Sequence, residues 1–299
     1  MQVRRLVLTA PHTLGWEESR LASPGPGEVR VRTRLSAVSV GSELGLVERP
    51  SADPSFPIPL GYQTLGEVEA VGEGAELVPG DRVVTTLGHA SGGVHHVQSV
   101  LPVPDDVPDR VALAVILGEE THKGLRRVMP QPHERVLVAG AGLLGLLTIF
   151  NLTRRDVPGV TVLEPDPERR ALAEALGASA VVPGHLSRDD FDVGVECSAS
   201  PQGFIELLSH LRPGGRACVL SDGNWGALTL PPAFHTRELS VVASSDGEDY
   251  AAYAHWLWGH PDPLLARLFA TTVAADELPS TFARLREYPR PVSLVAQWP

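Results

Sequence analysis

Three glycines carry the clearest chemical signal in the chain. Gly140, Gly142 and Gly145 stand in the spacing G-x-G-x-x-G, after the apolar run Val136-Leu137-Val138 and before Leu143, Leu144, Leu146, Leu147, Ile149 and Phe150. A short all-apolar run suits a parallel strand buried on both faces, and the leucine-rich segment suits a helix packed on a sheet. In such a turn the first glycine makes the bend, the second admits a pyrophosphate to the backbone, and the third lets helix and strand approach. The N–H groups at the helix start then face the phosphates. The spacing alone is not specific, because glycines also serve ordinary turns. Two further features make it so. Residues 160–163 read as a second strand ending in Glu164, 24 residues after Gly140, where an acid meets a ribose hydroxyl. Asp166 and Pro167 read as the cap and first residue of a helix over 168–176, ended by Gly177. The expected ligand is a dinucleotide held by Gly140, Gly142, Leu143, Leu144, Gly145 and Glu164. The alternative is a doubly wound domain that has lost its ligand. Glu164 would accept the adenosine ribose hydroxyls and repel a 2′-phosphate, favouring NAD over NADP. Arg169 and Arg170 pull the other way, since arginines at this point can hold that phosphate. Ser198, Ala199 and Ser221 fall at the carboxyl ends of later strands, where ligands of such sheets bind.

His89, His95 and His96 offer imidazoles for a metal. Adjacent residues of a strand point to opposite faces, so His95 and His96 are poorly placed to share an ion. One of them with His89 and Glu119 is the arrangement left open, against a plain rim cluster. Cys197 and Cys218 are the only 2 cysteines. They fall in expected core strands and read as reduced packing residues of a cytoplasmic protein. Two thiolates cannot make a four-cysteine structural zinc site. A formal net charge of −11, with no long basic run, disfavours nucleic acid or an anionic membrane as partner. No apolar segment reaches the roughly 18 residues of a membrane span. Residues 1–10, with Arg4 and Arg5 before a short apolar run, read as a first strand rather than a signal peptide.

These groups need elements to hold them, and 299 residues suffice for two domains with separate cores. Residues 1–116 carry β signals. In 28–40, Val29, Val31, Thr33, Leu35 and Ala37 alternate with Arg30, Arg32, Arg34 and Ser36, giving one buried and one wet face. Short strands are expected at 66–71 and 82–86, as in a small barrel or sandwich. The stretch 87–96 is too glycine-rich for regular structure. A helix is expected over 117–128. After the glycine turn, strands at 178–182, 192–197, 216–220 and 239–243 alternate with helices. The plainest helix, 202–211, is closed by Arg212-Pro-Gly-Gly215. Such alternation means a parallel sheet wound on both faces. From 249 come a helix to about 258, a proline-broken segment, a helix at 277–286 and a last strand at 291–296.

Taken in series, several motifs resemble the medium-chain dehydrogenase/reductase family, the alcohol dehydrogenase and quinone reductase relatives, over almost the whole chain. They are Gly27-Glu-Val-Arg-Val-Arg32, Val40-Gly-Ser-Glu-Leu44, Pro59-Leu-Gly-Tyr-Gln-Thr-Leu-Gly-Glu-Val-Glu-Ala-Val-Gly72, Gly80-Asp-Arg-Val83, the glycine turn, Arg212-Pro-Gly-Gly215 and Arg237-Glu-Leu-Ser240. The resemblance implies an α/β fold: a GroES-like β-barrel catalytic domain over 1–116, a Rossmann domain with a doubly wound parallel sheet over 117–246, and a return to the catalytic domain over 247–299. It also implies an NAD or NADP cofactor, chemistry in the cleft between the domains, and a homodimer paired through 239–243. Zinc-dependent members place Cys where this chain has Val40 and His-Glu where it has Tyr62-Gln63. Their third ligand falls near Val115 or Ile116. These side chains are not zinc ligands, so no catalytic zinc is expected, and the cysteine-rich lobe for a structural zinc is missing. The Gly-Tyr-Gln pattern is most similar to a zinc-lacking branch that includes bacteriochlorophyllide-type dehydrogenases.

Without zinc, a hydrogen-bond donor must polarise the substrate oxygen. Tyr62 stands at the ligand position, and Ser42 stands where zinc-dependent relatives keep a proton-relay hydroxyl. The bland alternative is that Tyr62 fills vacated space and Ser42 caps a turn. Gln63 either orients substrate or fills polar space. Glu119, Glu120 and His122 lie near the start of a helix. Glu119 falls where relatives contact the nicotinamide ring, or it simply complements the helix dipole. Ser293 replaces a basic residue that relatives often place on the pyrophosphate, with Arg290 nearby. Trp225, Trp256 and Trp258 line a bulky pocket or pack. The expected activity is a zinc-independent, NAD(P)(H)-dependent hydride transfer to or from a small-molecule carbonyl or alcohol. The alternatives are a C=C reductase of quinones or enones, and a dinucleotide-binding sensor without catalysis.

Overall fold

The chain opens on an antiparallel pair, β1 (Gln2–Ala10) and β2 (Thr13–Arg20). In this computed structural model, which describes residues 1–49, 54–221 and 227–299, residues 1–116 with 250–299 form one unit and residues 117–249 another.

The first unit continues with β3 (Glu28–Val38), α1 (Val40–Glu48), β4 (Ile58–Pro59), β5 (Gln63–Val71), β6 (Arg82–Thr85), β7 (Gly92–His96), β8 (Leu101–Pro102) and α2 (Asp109–Ala112). β3 is its central strand. Val29, Val31 and Thr33 are buried, while Arg30 and Arg32 pair with Glu69 and Glu67 on β5. Such half-exposed cross-strand pairs contribute about 0.2–1 kcal/mol each. Ser36 does not lie on the wet face with the arginines; it is fully buried. The reason is a bulge: the β3–β5 register shifts between Thr33 and Leu35, and one extra residue turns the following side chains to the other face. Nor is 87–96 wholly irregular, because β7 pairs antiparallel with β3. Its glycines serve close approach: a Cβ on Gly92 would lie 2.8 Å from the Val31 carbonyl oxygen.

The second unit holds most of α3 (Val115–Val128), then β9 (Val136–Ala139), α4 (Leu143–Thr153), β10 (Val160–Leu163), α5 (Pro167–Ala175), β11 (Ser179–Val181), β12 (Phe191–Glu196), α6 (Pro201–Ser209), β13 (Leu211–Val219), α7 (Pro232–Thr236) and β14 (Ser240–Ala243). The sheet runs β11-β10-β9-β12-β13-β14, every pair parallel. The order reverses beside β9, so a crevice opens at the carboxyl ends of β9 and β12. Arg212-Pro-Gly-Gly215 lies inside β13 rather than closing the preceding helix. The register shift between Phe191 and Val193 takes up the extra residues. Leu137, Ala139, Phe191, Phe204, Leu207 and Ala217 belong to the buried core of this unit.

The chain then returns to the first unit with α8 (Tyr250–Trp258), α9 (Pro263–Leu268), β15 (Thr271–Ala274), α10 (Leu278–Arg284) and β16 (Leu294–Gln297). The proline-broken segment thus contains a helix and a strand. Pro263 opens α9, and the Asp262 carboxylate accepts from Leu264 N–H at 2.9 Å. β15 is largely exposed and lacks apolar alternation, which hid it. β16 pairs antiparallel with β3 and brings Leu294, Ala296 and Trp298 onto Leu6, Leu8, Leu44 and Phe282. Among the described residues no helix is long and apolar enough to cross a membrane.

Candidate active site

The glycine turn is built from one local conformation and two close approaches. Gly140 has φ +89°, and a Cβ there would lie 2.8 Å from Ser198 Cα. A Cβ on Gly145 would lie 1.9 Å from the Gly140 carbonyl oxygen, so α4 can pack on the turn only with glycine at that position. Gly142 differs. It caps α4 with φ −71°, and a Cβ there would meet nothing within 4 Å. The start of α4 therefore borders open space at Gly142, and the N–H groups of a helix start suit an anion. Leu143 is buried beside it and Leu144 half-buried.

Glu164 is buried and secures this turn. Its Oε2 accepts from Ala141 N–H at 2.7 Å and its Oε1 from Asp166 N–H at 2.9 Å. Each oxygen retains a lone pair for a ribose hydroxyl. Asp166 caps α5 by accepting from Glu168 and Arg169 N–H. Arg170 donates to the carbonyls of Glu164 and Pro165 at 2.8 and 2.6 Å, so its guanidinium is engaged by the backbone.

Ser198, Ala199 and Ser221 are drawn together by a residue the sequence reading passed over. Glu196, fully buried at the end of β12, accepts on Oε1 from Ser198 N–H, Ser198 Oγ–H and Ala199 N–H at 2.7, 2.6 and 3.0 Å. Its Oε2 accepts from Ser221 Oγ. Several donors on one carboxylate make a strong local clamp, and Ala199 is held at φ +54°. An acid ending an apolar strand, followed by small polar residues, was the available signal. Burial pushes the Cys197 thiol up and Cys218 up to about 11; both are unpaired and unreactive as thiols.

In α3, Glu119 lies in the second turn rather than at the start, which removes the simple dipole reading. It is fully buried, and its Oε1 accepts from Arg126 Nη2, Glu248 N–H and Asp249 N–H at 3.1, 3.2 and 3.1 Å. Its Oε2 is buried without a hydrogen-bond partner among the described residues. Glu120 is half-buried. Burial, reinforced by Arg155 and Arg126, lowers His122 from 6.5 to about 4.

The first unit gathers a row of hydroxyls. Tyr62, just before β5, donates its phenol to Ser42 Oγ at 3.4 Å, and Ser42 Oγ lies 3.2 Å from Ser39 Oγ. The sequence-predicted pair, Ser42 and Tyr62, is therefore in contact. Gln63 is fully buried, with neither amide heteroatom hydrogen-bonded among the described residues.

The histidines do not gather. His89 is buried, its Nδ1 2.8 Å from Ser36 Oγ and its Nε2 2.9 Å from Glu43 Oε2. With both ring nitrogens engaged it has no free face for a metal. Burial lowers His95, and exposed His96 accepts from Gln98 N–H. No group of three His, Cys, Asp or Glu side chains among the described residues could hold an ion. Ser293 donates to the Val38 carbonyl at 2.9 Å, and Arg290 donates to Tyr288 Oη and the Arg286 carbonyl. Trp258 donates to the Pro102 carbonyl and Trp256 stacks on His260. Trp225 lies outside the described residues.

Residues 25–101 match the alcohol dehydrogenase GroES-like domain. Sorbitol dehydrogenase of Arabidopsis thaliana is 27% identical over 287 residues, covering 79% of this chain and 78% of that protein. The 2-desacetyl-2-hydroxyethyl bacteriochlorophyllide A dehydrogenase of Cereibacter sphaeroides is 27% identical over 326 residues, covering 100% and 99%. The structure of acetophenone reductase from Geotrichum candidum, in complex with NAD, superposes with a TM-score of 0.83 at 18% identity, covering 99% of this chain and 97% of that one. These similarities agree with the resemblance to the medium-chain dehydrogenase/reductase family. Two groups associated with that family can be tested against the residues present. The open helix start at Gly142, with Glu164 beside it, fits a dinucleotide. The positions that hold catalytic zinc in zinc-dependent members carry an isopropyl group, a phenol and a carboxamide at Val40, Tyr62 and Gln63, with buried Val115 and Ile116 near the third. That donor set does not fit zinc, which takes thiolate, imidazole or carboxylate.

Proposed function

We propose that the chain is a nicotinamide-dependent oxidoreductase that moves a hydride to or from a carbonyl/alcohol carbon without a catalytic zinc. The Tyr62 Oη–Ser42 Oγ contact, with Tyr62 at a ligand position of zinc-dependent members and Ser42 at their proton-relay position, carries this reading. A bound nicotinamide supplies the hydride donor or acceptor. Gly140, Gly142, Leu143, Leu144 and Gly145 hold the pyrophosphate at the start of α4. Glu164 accepts from the adenosine ribose, which favours NAD over NADP. Arg169 lies beside that ribose, while Ser198, Ala199 and Ser221, fixed by Glu196, border the cofactor at the strand ends. Glu119 keeps Oε2 as an acceptor for the nicotinamide end.

In the reducing direction the substrate carbon gains a hydride and its oxygen becomes an alkoxide. The Tyr62 phenol donates a hydrogen bond to that oxygen and then its proton, and the phenolate recovers a proton through the Ser42 hydroxyl, which takes one up from water as it gives one. Gln63 supplies an amide that no group among the described residues satisfies, suited to a polar substrate atom. Oxidation of an alcohol reverses each step. The unpaired buried thiols suit a reducing, cytoplasmic setting. The free edge of β14, which pairs with β13 alone among the described strands, suits a homodimer.

The test is a panel of ketones, aldehydes and enones with NADH or NADPH, using chelator-treated protein. Ketone or aldehyde turnover that collapses in Tyr62→Phe supports the reading. Turnover confined to enones, or tight NADH binding with no turnover at all, overturns it.

A further inference from the structure

Four buried polar side chains form an ordered row in the first unit. Trp298 Nε1 is donor-only and lies 3.0 Å from Ser36 Oγ, so the serine accepts. The same Ser36 hydroxyl lies 2.8 Å from His89 Nδ1. On its other side, His89 Nε2 lies 2.9 Å from Glu43 Oε2. The other carboxylate oxygen, Glu43 Oε1, accepts from Ser39 N–H at 2.8 Å. The row ends at the residue that opens α1.

Ser39 is the cap residue of α1, yet its hydroxyl makes no capping bond. A serine here ordinarily accepts from the helix backbone. Its Oγ instead lies 3.2 Å from Ser42 Oγ, which accepts from Tyr62. His89 also packs against the segment that leads into Tyr62. A Cβ on Gly61, which has φ +81°, would lie 2.8 Å from His89 Cδ2, and His89 N–H donates to the Leu60 carbonyl at 2.9 Å. The imidazole therefore packs against Gly61 and the His89 backbone holds Leu60, the two residues that precede Tyr62, while its carboxylate partner holds Ser39. A buried carboxylate–imidazole pair is weak evidence of stabilisation, since apolar residues of like volume do as well or better. Convergence on the two hydroxyl-bearing segments gives the pair a different role.

We propose that the Glu43–His89–Ser36 array is a brace that positions the Ser39–Ser42–Tyr62 hydroxyl row, making Glu43 and His89 positioning residues for the chemistry at Tyr62. The catalytic part of this statement rests on the function proposed above; the brace does not.

The protein with 13Cζ-labelled tyrosine tests it without any ligand. There are 4 tyrosines, and Tyr62→Phe assigns the resonance. Ser42→Ala should move the Tyr62 signal, and Glu43→Gln, which keeps the side-chain volume, should move it too. In the Ser42→Ala background, Glu43→Gln should add nothing, because it acts through Ser42. Ser36→Ala, which breaks the row at its far end and leaves the carboxylate in place, covers the case in which Glu43→Gln fails to fold. With NADH and acetophenone as the activity probe, Glu43→Gln should lower kcat about tenfold with KM unchanged. A Tyr62 signal that moves in Ser42→Ala but ignores both Glu43→Gln and Ser36→Ala overturns the brace. Shifts that add fully in the double variant overturn it as well. If the coupling holds while Tyr62→Phe keeps full turnover, the brace stands and the proposed catalytic role of Tyr62 falls.

Discussion

Gly142→Ala separates folding from binding within the glycine turn. A Cβ at 142 meets nothing within 4 Å, and φ −71° is ordinary backbone for alanine. Alanine is a poorer cap than glycine by up to about 1 kcal/mol. Its smaller unfolded-state entropy returns about 0.4–1 kcal/mol. The net change in stability should therefore lie within about 1 kcal/mol of zero. The cofactor meets a different situation, because the added methyl stands where a phosphate approaches the first N–H groups of α4. Displacing it loosens one or two charge-assisted bonds worth about 1.5–3 kcal/mol each. A loss near 3 kcal/mol corresponds to a roughly hundredfold weaker Kd. NADH titration followed by tryptophan fluorescence, with a thermal melt on the same sample, reads both quantities. Gly145→Ala provides the contrast: its Cβ would lie 1.9 Å from the Gly140 carbonyl oxygen, so α4 must move and the melt itself must fall. A Gly142→Ala protein that melts like the parent and binds NADH equally well would refute the placement of the pyrophosphate.

Two further outcomes are expected. Tyr62→Phe keeps the ring and removes only the phenol, so kcat for ketone reduction should fall about 10²-fold or more with NADH Kd unchanged; an unaffected kcat contradicts the assignment. His122 is lowered in the folded protein from 6.5 to about 4, by burial first and then by Arg155 and Arg126. The unfolded chain therefore takes up this proton first as pH falls. Stability should decline from about pH 6.5 toward 4, and His122→Gln should flatten that part of the curve by about 1–2 kcal/mol once solvent screening is allowed for. Denaturant melts at pH 7 and near pH 4 measure it, and an unchanged slope in the variant contradicts the prediction.

Local signals were legible in the sequence where one segment sets its own conformation. Asp166 and Pro167 announce the start of α5, Gly177 stands just past its end, and the apolar runs at β9 and β10 need no partner to be read. The glycine spacing also placed the turn and the separate duties of its glycines; the close approach of Gly140 to Ser198 was not legible, because Ser198 follows a different strand. What escaped depends on partners distant in the chain. One bulge in the β3–β5 ladder turned Ser36 inward against a two-residue alternation. Pairing with β3 made a strand of Gly92–His96, and a register shift drew Arg212-Pro-Gly-Gly215 into β13. In the candidate site, Tyr62 and Ser42 were legible as chemistry-bearing residues at family positions. Their support was not, because it joins residues 36, 39, 43, 89 and 298, which no spacing rule connects. Glu196 escaped for a related reason: its donors follow it closely or come from the end of the neighbouring strand, and only the fold shows them converging on one carboxylate.

The most direct measurement of the central claim is label transfer from [4-2H]NADH to a ketone carbon by chelator-treated protein, with metal content determined on the same sample. The account predicts deuterium on the product carbinol carbon, from one face of the nicotinamide, at a rate indifferent to chelation and strongly reduced in Tyr62→Phe. Loss of transfer on chelation with recovery on adding zinc, or no transfer to any carbonyl despite tight NADH binding, would contradict it.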